Sequence, residues 1–124
     1  MIKTNWVAAA LGLALLGGVA HADGDAARGE VKYQECAACH KLEPGINNVG
    51  PSLHGIVGRK AAEVSDFRYS PAMKRSGITW TADMLDKFMI DPQAMVPANR
   101  MPYAGLANAA DRADLITYLQ KAAR

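Results

Sequence analysis

A chain of 124 residues with 14 Lys and Arg against 12 Asp and Glu has a formal charge of +2, too balanced for a nucleic-acid or anionic-membrane binder. Two cysteines exclude a disulfide-rich scaffold, and the length suits one small domain around a single core.

Residues 1–22 read as a secretory signal peptide outside the fold. Lys3 provides a positive n-region, and an apolar run over 6–16 leads into Gly17, Gly18, Val19 and Ala20. Ala20-His21-Ala22 has the A-x-A form of a cleavage site. The apolar run is short against the ~20 residues of a membrane span; an uncleaved amino-terminal anchor is the alternative. Cleavage after Ala22 leaves one domain, 23–124, exported from the cytoplasm. Of the basic residues only Lys3 leaves with the signal, so the charge falls from +2 to +1.

Residues 25–36 read as a helix capped by Asp23 or Asp25. Ala27, Val31 and Cys36 are apolar, and Gly29 and Tyr33 share a face at i and i+4. A glycine inside a helix costs about 1 kcal/mol against alanine, so Gly29 points to close approach of another helix.

Cys36-Ala37-Ala38-Cys39-His40 follows and uses both cysteines of the chain. C-x-x-C-H is the pattern of c-type haem attachment. Two thiols one helical turn apart can each add to one of the two haem vinyl groups. The next residue, His40, is then placed to bind the iron through its imidazole. Three other readings are weaker. A zinc site normally takes four protein ligands, and His54 would only bring this set to a third partner beside the pair. A thioredoxin-like pair needs a βαβ setting that the sequence lacks. A Cys36–Cys39 disulfide would close a trivial loop and leave His40 unexplained.

Residues 41–69 are rich in turn signals: Pro44-Gly45, Asn47-Asn48 and Gly50-Pro51, then Gly55 and Gly58. Nothing alternates long enough to predict a sheet. Arg59 lies among small residues and is a candidate to point inward, although exposure is the default for an arginine. A short helix is predicted over 71–76, with Ser70 as cap, Pro71 first and Gly77 ending it. A longer one covers 81–90, with Met84, Leu85, Phe88 and Met89 on its apolar face and Pro92 ending it. The last helix covers 108–122, its stripe Ala110, Leu115, Tyr118 and Leu119, with Lys121 and Arg124 near its end.

Candidates for a second axial iron ligand are His54 and the methionines. Met73, Met84 and Met89 lie at or beside helical positions, where methionine is more often core filler. Met95 and Met101 lie in the proline-rich irregular stretch 92–103, whose constrained backbone suits a ligand loop. Met101 is favoured and Met95 is the runner-up.

The ordered motifs resemble a class I c-type cytochrome over nearly all of 23–124. They are Gly24-Asp25 with Gly29 and Tyr33, Cys36-Ala37-Ala38-Cys39-His40, Gly50-Pro51-Ser52-Leu53-His54-Gly55 and Gly58-Arg59-Lys60. Phe67-Arg68-Tyr69-Ser70, Gly77-Ile78-Thr79-Trp80, Pro97 to Met101, Tyr103-Ala104-Gly105-Leu106 and 112–119 complete the set. The resemblance implies an all-α cytochrome c fold, three to five short helices with loops wrapped around one covalently bound haem c. It makes His40 the proximal and Met101 the distal iron ligand. It has the Pro51 carbonyl orient His40 and makes Arg59, Tyr69 and Trp80 the buried partners of the haem propionates. It also places Gly29 and Tyr33 against Leu115 and Tyr118. This chain departs from the family at Phe88 (usually Tyr), at Met73 (commonly Asn), at Ala98-Asn99-Arg100 (commonly Gly, Thr and Lys) and at Pro102.

The function implied is that of a soluble periplasmic electron carrier, a monomer and not an enzyme, meeting redox partner proteins. The alternatives are a fixed haem subunit of a dehydrogenase or oxidase, and a haem enzyme or sensor with an open distal site.

Overall fold

The computed structural model describes residues 24–124, and the signal peptide expected over 1–22 lies outside them. Five helices occur among these residues: α1 Ala26–Ala37, α2 Pro71–Arg75, α3 Ala82–Ile90, α4 Pro92–Met95 and α5 Ala109–Ala122. The only strand-like pairing among them is an isolated antiparallel bridge between Lys60 and Thr79. The all-α expectation therefore holds, as does the loop-rich reading of 41–69.

Each helix begins on a side-chain cap that accepts an otherwise unpaired backbone N–H. Asp25 takes the amide of Arg28, Ser70 that of Met73, Thr81 that of Met84 and Asn108 that of Asp111. Asp91 accepts from Gln93 and Ala94 and starts α4, with Pro92 at its first position. This corrects the sequence reading at one place. Pro92 does not simply end the preceding helix; it opens a further helical turn, and Met95 belongs to that turn rather than to irregular chain.

The core joins Leu115, Ile116 and Leu119 of α5 to Leu85, Phe88 and Met89 of α3, with Tyr33, Ile56, Trp80 and Val96. Burying a side chain of this size contributes roughly 1.5–3 kcal/mol. The stripe of α5 is shifted from the one expected: Ala110 is exposed, while Ile116 and the aliphatic stem of Arg112 turn inward. On α1, Ala27 and Val31 face solvent, and the buried pair is Gly29 and Tyr33.

α1 packs chiefly on α5. A Cβ on Gly29 would overlap the Asp114 carbonyl and meet Tyr118 Cβ at 2.8 Å, so only a glycine allows this approach. The Tyr33 and Tyr118 rings lie 5.4 Å apart, a favourable tilted pair. Asp114, buried at the crossing, accepts from the Asp25 amide at 2.6 Å and from Arg28 Nε at 2.8 Å. These bonds tie the start of α1 to the middle of α5. Arg112 does the same for α3, donating to Asp86 and to the carbonyls of Leu106 and Ala107. Helices α1 and α5 thus clasp each other, with the loops 38–70 and 96–108 leading from α1 to α2 and from α4 to α5.

Candidate functional site

The last turn of α1 sets the spacing of the two thiols. The amides of Cys39 and His40 both donate to the Cys36 carbonyl, at 3.0 and 2.9 Å. This keeps the chain coiled through the motif, so the cysteines stand one turn apart. No disulfide joins them. Burial, with help from Glu35 and Cys39, pushes the Cys36 thiol up to about 11, which disfavours thiolate exchange chemistry. Among the described residues no group of three or more His, Cys, Asp or Glu side chains converges.

His40 is held from several sides. Its Nδ1 donates to the Pro51 carbonyl at 2.7 Å, an acceptor that can pair only with an N–H. In the neutral ring this leaves Nε2 as the unprotonated nitrogen, able to bind a metal, and the carbonyl orients the ring as an outer partner of a ligand should. Gly50 makes this possible, because a Cβ there would run into the imidazole. The Gly50 amide donates to the Cys39 carbonyl at 2.8 Å and the Leu53 amide to the Lys41 carbonyl at 2.8 Å, locking the turn to the motif. Burial lowers the His40 pKa, favouring the neutral ring that coordination requires.

Arg59 does point inward. Its Nη1 donates to the carbonyls of Ser52 and His54 at 2.8 and 2.9 Å. Its Nε is buried with no protein partner, and the buried hydroxyl of Tyr69 has no acceptor for its proton. Burial lowers the Arg59 pKa and raises that of Tyr69. Two buried donors without acceptors are rare in a protein. Their chemistry matches a carboxylate that is not part of the chain, and haem carries two. Trp80 is buried against Phe88, with ring centroids 4.8 Å apart, and is joined to Arg59 by a backbone bond at 2.8 Å. The residues therefore fit haem at both ends: thiols and an imidazole at one, orphaned donors at the other.

The two methionine candidates now differ in setting. Met95, in α4, lines a cleft of about 360 Å³ with Ala72, Arg75, Ser76 and Ile78. Met101 lies in irregular chain, partly buried against the core. Two residues on, the Tyr103 hydroxyl donates to Glu35, next to Cys36, so the Met101 segment lies alongside the cysteine motif. His54 is only partly buried, and its carbonyl rather than its ring serves Arg59.

Sequence reasoning missed one further residue of the site. Asn99 is buried and its side chain bonds three backbone groups of the Met101 loop. A short amide in a proline-rich loop is the available signal, since Asn readily bonds its own neighbouring backbone. The loop also passes through Ala98 at φ +66°, a left-handed conformation that an alanine in sequence does not announce.

A family model described as cytochrome c matches residues 26–123. Cytochrome c2 of Rhodomicrobium vannielii is 42% identical over 119 residues, 95% of this chain and 93% of that relative. The cytochrome c-type cyt cy of Rhodobacter capsulatus is 48% identical over 97 residues, 77% of this chain. The match takes in 48% of that relative, so the chain spans about half its length. Among solved structures, cytochrome cH from Methylobacterium extorquens is similar with a TM-score of 0.75 and 41% identity, covering 78% of this chain and 98% of that one.

Proposed function

This chain belongs to the cytochrome c family, and we propose that it works as a periplasmic electron shuttle with His40 and Met101 as axial iron ligands. The observation that carries the proposal is the His40 ring, its Nδ1 committed to Pro51 and its Nε2 free directly beside a two-thiol turn. Cys36 and Cys39 would anchor the vinyl side, and Arg59 and Tyr69, with Trp80 behind them, would receive the propionates. Haem c supplies an iron that takes up and releases one electron at a time.

The chain's own task is to keep the surroundings of that iron unchanged during the exchange. Pro51 and Gly50 fix the proximal ring. The helix crossing of α1 on α5 fixes the motif that bears it. Met101 is preferred to Met95 because its segment reaches the cysteine motif through Tyr103, whereas Met95 is engaged in a helical turn beside α2. Were His40 and Met101 both to bind the iron, the chain would leave no substrate position at the metal, which is what a carrier rather than an enzyme requires. No helix among the described residues is long and apolar enough to cross a membrane. A leader over 1–22 would deliver the domain to the periplasm, where it would meet its redox partner proteins as a monomer.

Met101→Ala tests the ligand assignment. The variant should keep its haem, since the thioethers and His40 do not depend on Met101. It should lose the iron–methionine band at the red edge of the ferric spectrum and bind cyanide readily. An unchanged spectrum would transfer the role to Met95. Cys36→Ala with Cys39→Ala should release haem in denaturant, and haem that still migrates with the double variant on a denaturing gel contradicts thioether attachment.

A further inference from the structure

The loop that carries Met101 is closed by one side chain. Asn99 is 7% exposed, and its amide nitrogen donates to the carbonyls of Pro92 and Val96, both at 2.9 Å. Its amide oxygen accepts from the Met101 backbone N–H at 2.8 Å. Both donors and the carbonyl of one buried amide are thus in use. The backbone of Asn99 is held as well, its N–H donating to the Val96 carbonyl at 3.1 Å and its carbonyl accepting from Gln93 Nε2 at 3.0 Å. The bonds run from the first residue of α4 to Met101 itself, so they span the whole loop. An aspartate here would keep the acceptor for the Met101 N–H but lack the donors that reach Pro92 and Val96.

The same loop holds a strained residue. Ala98 sits at φ +66°, where a Cβ clashes with the neighbouring carbonyl. Such a conformation persists only where the surroundings over-determine it. The Asn99 bonds supply that constraint on the residue immediately following. If they were lost, Ala98 would relax toward an ordinary conformation and draw the Met101 backbone away from its place.

We infer that Asn99 is a positioning residue that sets how readily Met101 leaves the iron. It acts through the Met101 N–H, to which its amide oxygen is bonded. The inference rests on Met101 being the distal ligand.

The test uses ferric holoprotein and imidazole as the probe. At saturating imidazole the binding rate is limited by departure of the methionine. Asn99→Ala should raise that rate by about tenfold or more, the factor for losing a buried hydrogen-bond cluster, while haem stays attached. Should Asn99→Ala fail to fold, Gln93→Ala removes only the bond to the Asn99 carbonyl from an exposed position, and should raise the rate about twofold. Arg28→Ala is the control, because it weakens the α1–α5 crossing without touching the loop. At equal loss of thermal stability it should leave the imidazole rate near that of the parent. A parent-like rate in Asn99→Ala, or in Gln93→Ala where that is the variant used, overturns the inference. So does an equal acceleration in Arg28→Ala, which would reduce Asn99 to a contributor to global stability. Met101→Ala separates the two levels. If it keeps the iron–methionine band, the ligand assignment falls and the inference with it. If it loses the band while Asn99→Ala keeps the parent rate, only the inference falls.

Discussion

The Tyr103 hydroxyl donates to the Glu35 carboxylate across 3.3 Å, joining the residue before the cysteine motif to a residue 68 positions later, just past Met101. Burial, with Glu35 and Cys36 adding to it, pushes the phenol up to about 12, so at neutral pH it keeps the proton it donates. The bond closes the Met101 segment over the end of α1. Tyr103→Phe should lower stability by about 0.5–1 kcal/mol, the lower part of the range for one net hydrogen bond because the site is open to water. Glu35→Gln keeps an acceptor and should lose less. Urea unfolding of the two variants checks this, and equal stability of Tyr103→Phe and parent would show that the bond adds nothing.

Gly29 offers a reversal of sign. In an exposed helix, Gly→Ala gains about 1 kcal/mol. Here the added Cβ would enter the Asp114 carbonyl and crowd Tyr118. Gly29→Ala should therefore destabilise, and Gly29→Val should cost more than the ~1–3 kcal/mol typical of overpacking, since backbone rather than a flexible side chain is in the way. Thermal unfolding that matches the parent would mean that α1 and α5 are farther apart than described.

This crossing also shows how much the sequence disclosed. Gly29 inside a helix, on one face with Tyr33, pointed to close approach of another helix, and it was the family resemblance that named Leu115 and Tyr118 as the other side. His40 beside two cysteines was enough to locate the site. Asn99 was not legible in the same way, because its role depends on where a loop folds back and no periodicity encodes that. Nor was α4, since Asp91 both ends one helix and caps the next, and a proline at the first position of a helix looks the same in sequence as a proline that stops one. Ala110 misled because alanine is at home on either side of a helix.

Asp114 predicts a pH dependence. The Arg28 hydrogen bond and the Asp25 amide hold its carboxyl below the ordinary value of 3.8. A carboxylate with a lowered folded-state pKa contributes stability that is complete above its unfolded value and disappears as pH falls through the folded one. Stability should thus fall as acid is added below about pH 4, and Asp114→Asn should flatten that limb while lowering stability at neutral pH. An acid limb of the same depth in the variant would assign the effect to other carboxylates.

Arg59 should act on the potential. Ferric iron carries one more positive charge than ferrous, so a buried guanidinium nearby favours the reduced form. Arg59→Leu should lower the midpoint potential. About 1 kcal/mol of differential interaction at an effective dielectric near 20 corresponds to roughly 40 mV for one electron. Tyr69→Phe removes a neutral donor and should shift it less. Redox titration of both variants is the check, and a potential unchanged in Arg59→Leu would remove Arg59 from the propionate site.

The way this protein meets its partners should depend little on salt. The family resemblance implies that electrons would leave through an exposed haem edge framed by the residues around Cys36 and those flanking Met101, an edge that carriers of the mitochondrial type commonly ring with lysines. Here Glu35 precedes the motif and is engaged by Tyr103, while Ala98, Pro102 and Ala104 are uncharged. Val49, 67% exposed, directly precedes Gly50, whose Cα lies against the His40 ring, and Ile46 is 51% exposed close by in sequence. Several of the basic residues are already paired elsewhere: Arg28 with Asp114, Lys32 with Asp111, Lys87 with Asp83 and Arg112 with Asp86. Arg100 and Lys41 remain as exposed cations close in sequence to Met101 and to the cysteine motif. Few charges give little steering, and screening then has few pairs to act on. The bimolecular rate of electron transfer with the natural partner should therefore change by less than about tenfold between low and high ionic strength, a weak response for a steered encounter. Stopped-flow measurement across a salt series decides the matter. A steeper fall would mean that Arg100, Lys41 and Lys60 gather into a basic ring in the encounter and that the partner is acidic.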